Sequence, residues 1–421
     1  GYIYKGLKPV YWCPDCQTAL AEAEIEYAED PCTSIYVKFA LQEDFGKLAA
    51  YGGKENTYVI IWTTTPWTLP GNLAIALHPT QEYVLLDAGK ERYLVAKALA
   101  EKTMQAGGVE RYETVASFPG GFFERMTARH PFLDRESLMV TAEYVTMDSG
   151  TGCVHTAPGH GVDDFNVCQN YPDIPVIVPV DSLGRMTEEA GEKFAGLTTS
   201  QANAAIAEHL KETGALFAME KIIHQYPHCW RCKNPVLFRA TEQWFCSVED
   251  FKEDAVKAIQ DVQWIPAWGE DRITSMVRDR RDWCISRQRK WGVPIPIFFC
   301  KECGEPLIDK EAMLAVSRLF REKGSDAWYE LNTEDILPAG TKCKKCGASS
   351  FDKEKDIMDV WFDSGSTHAA VLSKRPYLKF PADLYLEGAD QYRGWFQSSL
   401  LTSVATKGTA PYKAVVTHGW V

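Results

Sequence analysis

The sequence predicts a multi-domain α/β chain with a β-rich, barrel-like domain and two zinc-knuckle modules. Three observations lead there. Short strand-like runs crowd residues 47–222, four C-x-x-C pairs lie outside that stretch, and strand and helix patterns alternate over residues 357–421. With 421 residues, the chain has room for two to four domains at roughly 150 residues each. A composition of 45% hydrophobic, 12% aromatic and 24% charged residues is ordinary for a globular protein. It excludes a disordered chain, a collagen-like repeat and a disulfide mini-protein. No apolar run approaches the roughly 18 residues of a spanning helix, so no membrane partner is expected. No basic-then-apolar leader follows Gly1, so secretion is not expected either.

Residues 1–46 hold the first zinc-knuckle half, then the alternating strand Ile35–Phe39 and the way into the β-rich domain. Residues 47–222 form that domain, with strands expected at Tyr58–Trp62, Tyr83–Leu86, Arg92–Val95 and Val176–Val180. A helix is expected through Ser200–Thr213, with Ser200 as N-cap and Gly214 as its stop. Residues 223–297 bring the second knuckle half, a helix near Val248–Ile259 and an Arg-rich return segment. Residues 298–356 read as a zinc ribbon with a helix near Lys310–Lys323. Residues 357–421 alternate strand Leu384–Leu386, helix Gln391–Ala405 and strand Ala414–Thr417, as at the end of a parallel sheet. The closing run Val415–Val421 wants sheet neighbours and a connection onward, so a longer parent chain is expected.

Thirteen cysteines are many, and eight of them form the pairs Cys13/Cys16, Cys229/Cys232, Cys300/Cys303 and Cys343/Cys346. A two-residue gap lets two thiolates converge on a tetrahedral ion at about 2.3 Å, and an all-cysteine zinc site needs two such pairs. Cys300/Cys303 with Cys343/Cys346 are close in sequence and make a self-contained ribbon. Cys13/Cys16 must then pair with Cys229/Cys232, which requires an inserted domain that leaves and returns at neighbouring points. Two zinc ions per chain are expected. The remaining cysteines (Cys32, Cys153, Cys168, Cys246, Cys284) read as buried small hydrophobes, and the whole set fits a reducing, cytoplasmic setting.

The net charge of −12 has the wrong sign for a chain coated in nucleic acid, so any such partner needs a local basic patch. Arg272, Arg278, Arg280, Arg281, Arg287, Arg289 and Lys290 offer one candidate, against a plain solvated helix face as the alternative.

Two segments are specific enough to carry a family resemblance. Trp62–Asn72 (WTTTPWTLPGN) and Gly150–Phe165 (GTGCVHTAPGHGVDDF) resemble the editing-domain motifs of isoleucyl-tRNA synthetases. Asp282–Pro296, Asp359–Ser366 and Glu387–Phe396 are similar to the same family, and the likeness runs through essentially the whole chain. Valyl and leucyl relatives typically carry Arg-Pro-Glu or Arg-Pro-Asp after the paired threonines, whereas Thr65-Pro66-Trp67 here favours isoleucine. The HIGH and KMSKS motifs of the family are absent, so the resemblance implies the middle of a synthetase. That middle comprises the editing insertion, both knuckles and the second half of a Rossmann-type catalytic domain.

The resemblance implies ATP- and Mg(2+)-dependent attachment of isoleucine to its tRNA in the full-length enzyme, with hydrolysis of mischarged valyl-tRNA. This portion is expected to keep editing and to lose aminoacylation, and to be monomeric. Isoleucine and valine differ by one methylene, which a pocket discriminates by only ~1–3 kcal/mol, a limit for which this family is itself a standard worked case. In the editing site, Asp164 matches the anchor for the substrate's α-amino group, a charge-assisted contact. His155 matches a pocket residue that sets size and orientation, while Thr63, Thr64 and Thr65 offer hydroxyls to ester, adenosine or water. On an extended strand those three alternate faces, so two at most would point one way. Asn72 carries over as a further polar contact. In the synthetic site, Glu387, Gly388, Asp390 and Gln391 resemble residues that hold the aminoacyl-adenylate. Trp361 and Trp395 resemble aromatic walls of the isoleucine pocket, and His418-Gly419 a contact to the adenylate. No Ser-His-Asp arrangement accompanies the motifs, so attack by a positioned water is expected. The rival readings are a valyl or leucyl relative, and a zinc-stabilised tRNA-binding module without turnover.

Overall fold

The computed structural model describes residues 1–419. Trp420 and Val421, the end of the terminal apolar run, lie outside the described residues. The chain divides into two compact units, one of Leu7–Gln17 and Glu24–Glu242, the other of Gly1–Gly6, Thr18–Ala23 and Gln243–Val421.

The first unit is built on a mixed sheet of ten strands. Six of them close on themselves by hydrogen bonding: Ile25–Glu43, Thr127–Arg129, Glu136–Thr141, Ala74–Leu77, Cys153–Thr156, Thr57–Thr63, and back to Ile25–Glu43. A closed ring leaves no open edge, which is the barrel-like arrangement the crowded short strands predict. Its filling follows the period-two pattern of a strand: Ile35, Val37 and Phe39 are fully buried with Val59, Ile61, Ile75 and Leu77 in one core. Arg92–Ala96, Glu82–Asp87 and Glu113–Pro119 extend the sheet from Thr57–Thr63.

In the first unit three local expectations differ from the structure. The strand foreseen at Ile35–Phe39 runs the full Ile25–Glu43, because its polar first half is held by a long antiparallel ladder with Leu216–Cys229 rather than by burial. Val176–Val180 makes no strand; only Val180 bridges, to Met186. Pro175 and Pro179 remove two of the donors a ladder needs. The helix is Thr199–Glu212, and its cap is Thr198 rather than Ser200, since Thr198 and Gln201 exchange side-chain-to-backbone bonds in a reciprocal capping box.

The second unit contains the expected parallel sheet, in the order Gln263–Ile265, Ala414–His418, Tyr385–Gly388. Helices Lys252–Gln260, Trp268–Arg278 and Trp395–Lys407 contribute Ile259, Ile273, Val277, Phe396 and Leu400 to a core with Val415. The cysteine-bearing ribbon joins strands Phe298–Cys300, Pro306–Leu307 and Phe351–Lys353 to helix Lys310–Lys323, around its own core of Phe298, Trp328 and Phe351. Asp309 caps that helix by accepting from the Glu311 and Ala312 amides. The Arg-rich segment does not form one basic face. Arg287 is buried and ion-paired with Asp359 at 3.2 Å, and Arg280 lies 5.5 Å over the Trp283 ring. Asp359 also accepts from the Trp283 indole at 2.8 Å, so this arginine serves the core.

Gly152 shows how tightly the ring is packed. It has a φ of +75°, and a Cβ there would stand 2.3 Å from the Ala96 Cβ. Gly152→Ala is therefore expected to lower the unfolding free energy of this unit by more than about 1 kcal/mol. Chemical denaturation of parent and variant checks this, and an unchanged midpoint would refute it.

Candidate functional site

The first unit holds a cavity of about 310 Å³ where strands Thr57–Thr63 and Cys153–Thr156 end. Thr63, Thr64, Thr65, His155 and Asp164 all line it, so the structure brings five of the six expected editing residues together. Two of the three threonines, Thr63 and Thr65, share a side, as alternation along an extended strand predicts. Thr63 is the last residue of its strand, and Thr65 caps the 3-10 helix Pro66–Gly71, so the chain leaves the strand within the run. The Thr63 and Thr65 hydroxyls stand 3.4 Å apart.

Asn72 is the exception. It is fully buried and lies behind His155 instead of facing the cavity. Its amide donates to the Ala74 carbonyl at 2.9 Å and accepts from Ser137, which fixes the orientation of the amide group. The remaining N–H then points to His155 Nδ1 at 2.7 Å, leaving the proton of the ring on Nε2. Nε2 donates to the Thr68 hydroxyl at 2.9 Å, and Thr68 in turn donates to the Thr65 carbonyl at 2.8 Å. Burial pushes His155 down to about 3, so the ring is neutral with both nitrogens committed. It is not a free general base.

Asp164 sits in the first turn of the short helix Val162–Cys168, not in the loop its glycine and proline neighbours suggest. Burial lifts its carboxyl to about 6; the amide of Ala157 at 2.8 Å and the Tyr144 hydroxyl at 3.0 Å pull in the opposite direction. Gly161 leaves room for this: a Cβ there would lie 2.7 Å from Asp164 Oδ2. His160, also lining the cavity, is held neutral by burial at about 4. Sequence reasoning missed Thr68, Tyr144, Trp62 and His160. Thr68 was within reach, one helical turn after Thr65; nothing near Tyr144 marks it.

In the second unit Glu387, Gly388 and His418, expected at an adenylate, lie at the carboxyl ends of the parallel strands, with Asp390 and Gln391 in the short helix that follows. Such strand ends are the usual ligand crevice of an open sheet. Glu387 and Gly388 end one strand and pair with Thr417 and His418 of its neighbour. Gln391 donates to Asp390 at 3.0 Å and accepts from the Trp395 amide at 2.8 Å. Trp395 stacks flat on Tyr385 at 4.0 Å and bonds the Ser364 carbonyl at 3.0 Å. Trp361, in the helix Val360–Gly365, closes on Gly394, where a Cβ would meet its ring at 2.9 Å. Its buried indole N–H has no acceptor among the described residues.

The cysteines pair as the spacing requires. The Sγ atoms of Cys13, Cys16, Cys229 and Cys232 lie within 4.8 Å of one another, as do those of Cys300, Cys303, Cys343 and Cys346. All thirteen cysteines are free thiols. Close pairs such as Cys13–Cys232 at 3.5 Å and Cys303–Cys343 at 3.6 Å approach the ~3.8 Å edge of a tetrahedron with about 2.3 Å metal–sulfur bonds. Backbone amides already point at sulfur: Cys16 N–H reaches Cys13 Sγ at 3.3 Å, and the Cys346 and Lys345 amides bring Cys343 down to about 6. In all four knuckles the residue after the second cysteine is left-handed: Gln17 at φ 50°, Lys233 at 63°, Gly304 at 70° and Gly347 at 78°. These two sets fit a tetrahedral divalent ion.

The profile of a family described as tRNA synthetases class I (I, L, M and V) matches residues 1–421. An isoleucine–tRNA ligase of Caldicellulosiruptor saccharolyticus is 60% identical over 423 residues, covering 100% of this chain and 46% of the relative. One of Moorella thermoacetica is 56% identical over 421 residues, covering 100% and 45%. The chain thus spans about half the length of the curated relatives it matches. A solved structure titled as the crystal structure of GlLeuRS-CP1 aligns over 44% of this chain and 99% of its own, at 16% identity and a TM-score of 0.36.

The knuckle geometry yields a test. Gln17 is exposed and holds a left-handed conformation that costs a non-glycine residue about 1 kcal/mol. Gln17→Gly is expected to raise the stability of the knuckle by up to that amount, read as increased resistance of the chain to thermal unfolding. A loss of stability would show that the side chain, not the backbone, matters there.

Proposed function

The chain belongs to the class I tRNA synthetase family, and on that premise we propose that it is the middle of an isoleucyl-tRNA synthetase whose cavity hydrolyses valine mischarged onto the isoleucine tRNA. The observation that carries the reading is the meeting of one half-buried carboxylate, Asp164, with the hydroxyls of Thr63, Thr65 and Thr68 in one cavity. A cationic α-amino group finds its counter-charge at Asp164, where low solvent access strengthens the contact. The hydroxyls accept from water and from the ribose, and neutral His155 braces Thr68 from behind. Water adds to the ester carbonyl, the bond from that carbon to the ribose oxygen breaks, and the ribose hydroxyl leaves with a proton. Valine and intact tRNA are the products. No side chain need bond covalently to the substrate.

In the full-length enzyme, the crevice of Glu387, Gly388, Asp390, Gln391, His418 and Gly419 would hold isoleucyl-adenylate made from ATP with Mg(2+). Trp361 and Trp395 would wall the side chain. The two cysteine sets would each hold a zinc ion, with a structural role at the root of the insertion and in the ribbon.

Two experiments test this. Elemental analysis is expected to find two zinc ions per chain, and Cys229→Ser to lose one of them together with several kcal/mol of folding energy; a metal-free, fully folded chain would refute the assignment. Valyl-tRNA for isoleucine, supplied at high concentration, is expected to be deacylated and isoleucyl-tRNA spared. Asp164→Ala should slow hydrolysis roughly 30- to several-thousand-fold, the equivalent of about 2–5 kcal/mol for an uncompensated buried charge contact. Because the anion binds the substrate, activity is present above the Asp164 pKa of about 6 and falls as pH drops through it. Tight tRNA binding without turnover would favour the binding-module reading.

A further inference from the structure

Asp164 is held from two directions. Oδ2 accepts from the Ala157 amide at 2.8 Å, a contact from the turn just ahead of its own helix. Oδ1 accepts from the Tyr144 hydroxyl at 3.0 Å, and Tyr144 comes from another element, the segment after strand Glu136–Thr141. Tyr144 lines the cavity together with Asp164, and its ring packs beside a core of Val140, Ala142, Val145 and Tyr171. The tyrosine is thus anchored by its ring and presents its single proton to the carboxylate.

We propose that Tyr144 is a positioning residue of this site: its hydroxyl fixes the Asp164 carboxylate, ionised and in one orientation, for the substrate's ammonium group. A carboxylate has about four lone-pair positions. With the amide on one oxygen and the phenol on the other, rotation is blocked and the free lone pairs are those turned to the cavity. Losing the phenol frees that rotation. It also removes a donor that favours the charged form, in a place where burial already favours the neutral one. The other titratable groups around Asp164 leave the phenol this task. Asp163 on the same helix opposes ionisation, and burial holds the Cys168 thiol protonated. His155 and His160, facing the same cavity, are neutral at about 3 and 4.

The inference rests on Asp164 as the ammonium anchor, so the experiment separates the two. The 421-residue chain, its Tyr144→Phe and Asp164→Ala variants, and Tyr171→Phe as control are assayed for valyl-tRNA deacylation across pH. Tyr171 sits in the same core, but its hydroxyl serves Glu124 and Thr141. Tyr144→Phe is expected to lower kcat/KM near neutral pH about 10-fold, chiefly through KM, and to move the acid limb of the profile upward. Tyr171→Phe should leave the limb in place. If Asp164→Ala is inactive while Tyr144→Phe keeps the parental KM and acid limb, the positioning role is wrong and the anchor stands. If Asp164→Ala is fully active, the anchor falls and this inference with it. Direct titration of the Asp164 carboxyl carbon by NMR gives a reading independent of turnover: a midpoint unchanged by Tyr144→Phe overturns the proposal.

Discussion

The ladder between Ile25–Glu43 and Leu216–Cys229 is the constraint on which the first unit depends. Its register runs from Val37–Leu216 down to Ile25–Cys229, so the strand that leads into the insertion and the strand that leads out lie side by side along their length. That pairing delivers Cys229 and Cys232 to Cys13 and Cys16. It also fixes the other end, because Ile25–Glu43 continues into the ring and pairs with Thr57–Thr63 from Ala40–Tyr58 to Ile35–Thr63. Thr63, where that ladder stops, is where the cavity begins. The entropy of closing a loop grows only logarithmically with its length, so a large domain can be carried between two such strands at modest cost. The ladder and the cysteine cluster then hold its root.

Burial of individual side chains sets the electrostatics around the cavity. Burial holds His130, His155 and His160 neutral, at about 3, 3 and 4, and raises Asp164 to about 6. Near neutral pH this leaves Asp164 ionised among neutral histidines, so none of them offsets its charge. The same histidines do structural work. His130 Nε2 donates to the Leu69 carbonyl at 2.9 Å, and Arg135 reaches the Pro70 carbonyl at 2.7 Å. The last carbonyls of the short helix Pro66–Gly71 are thereby satisfied from beneath, which keeps Thr65 and Thr68 on one wall.

What was legible in the sequence had a short period or a fixed spacing. The C-x-x-C pairs announced both cysteine clusters and their pairing, since only Cys300/Cys303 and Cys343/Cys346 are close enough to meet without an insertion. Helix Lys310–Lys323 and the strands near Tyr58, Tyr83 and Arg92 followed from hydrophobic periodicity. The failures have physical causes. The outer half of Ile25–Glu43 carries Glu26, Glu29 and Asp30 and is stabilised by backbone pairing, which side-chain patterning does not record. Val176–Val180 had strand composition, but Pro179 within it and Pro175 just before it have no amide to donate. In the site, resemblance named Asn72 as one more polar contact, and only the fold places it a layer behind the cavity: its partner Ser137 is 65 residues away and meets it through one hydrogen bond.

That hidden layer gives the threonine wall a direction. A hydroxyl has one proton and two lone pairs. Thr68 gives its proton to the Thr65 carbonyl and takes one from His155 Nε2, whose tautomer Asn72 dictates. The lone pair that remains can only accept, whether from the Thr65 hydroxyl at 3.4 Å or from a molecule in the cavity. Asp164 likewise accepts on both oxygens while ionised. The acceptors therefore converge from two sides, and what they complement is a donor-rich ligand: an ammonium group, a ribose hydroxyl, a water held by its protons with its oxygen free. A histidine protonated on Nδ1 instead would clash with the Asn72 amide and present Nε2 as an acceptor. Thr68 would then have to turn its proton toward the ring and release the Thr65 carbonyl. The chemistry open to the cavity is thus decided one layer outside it, by the direction in which a buried asparagine amide is pinned.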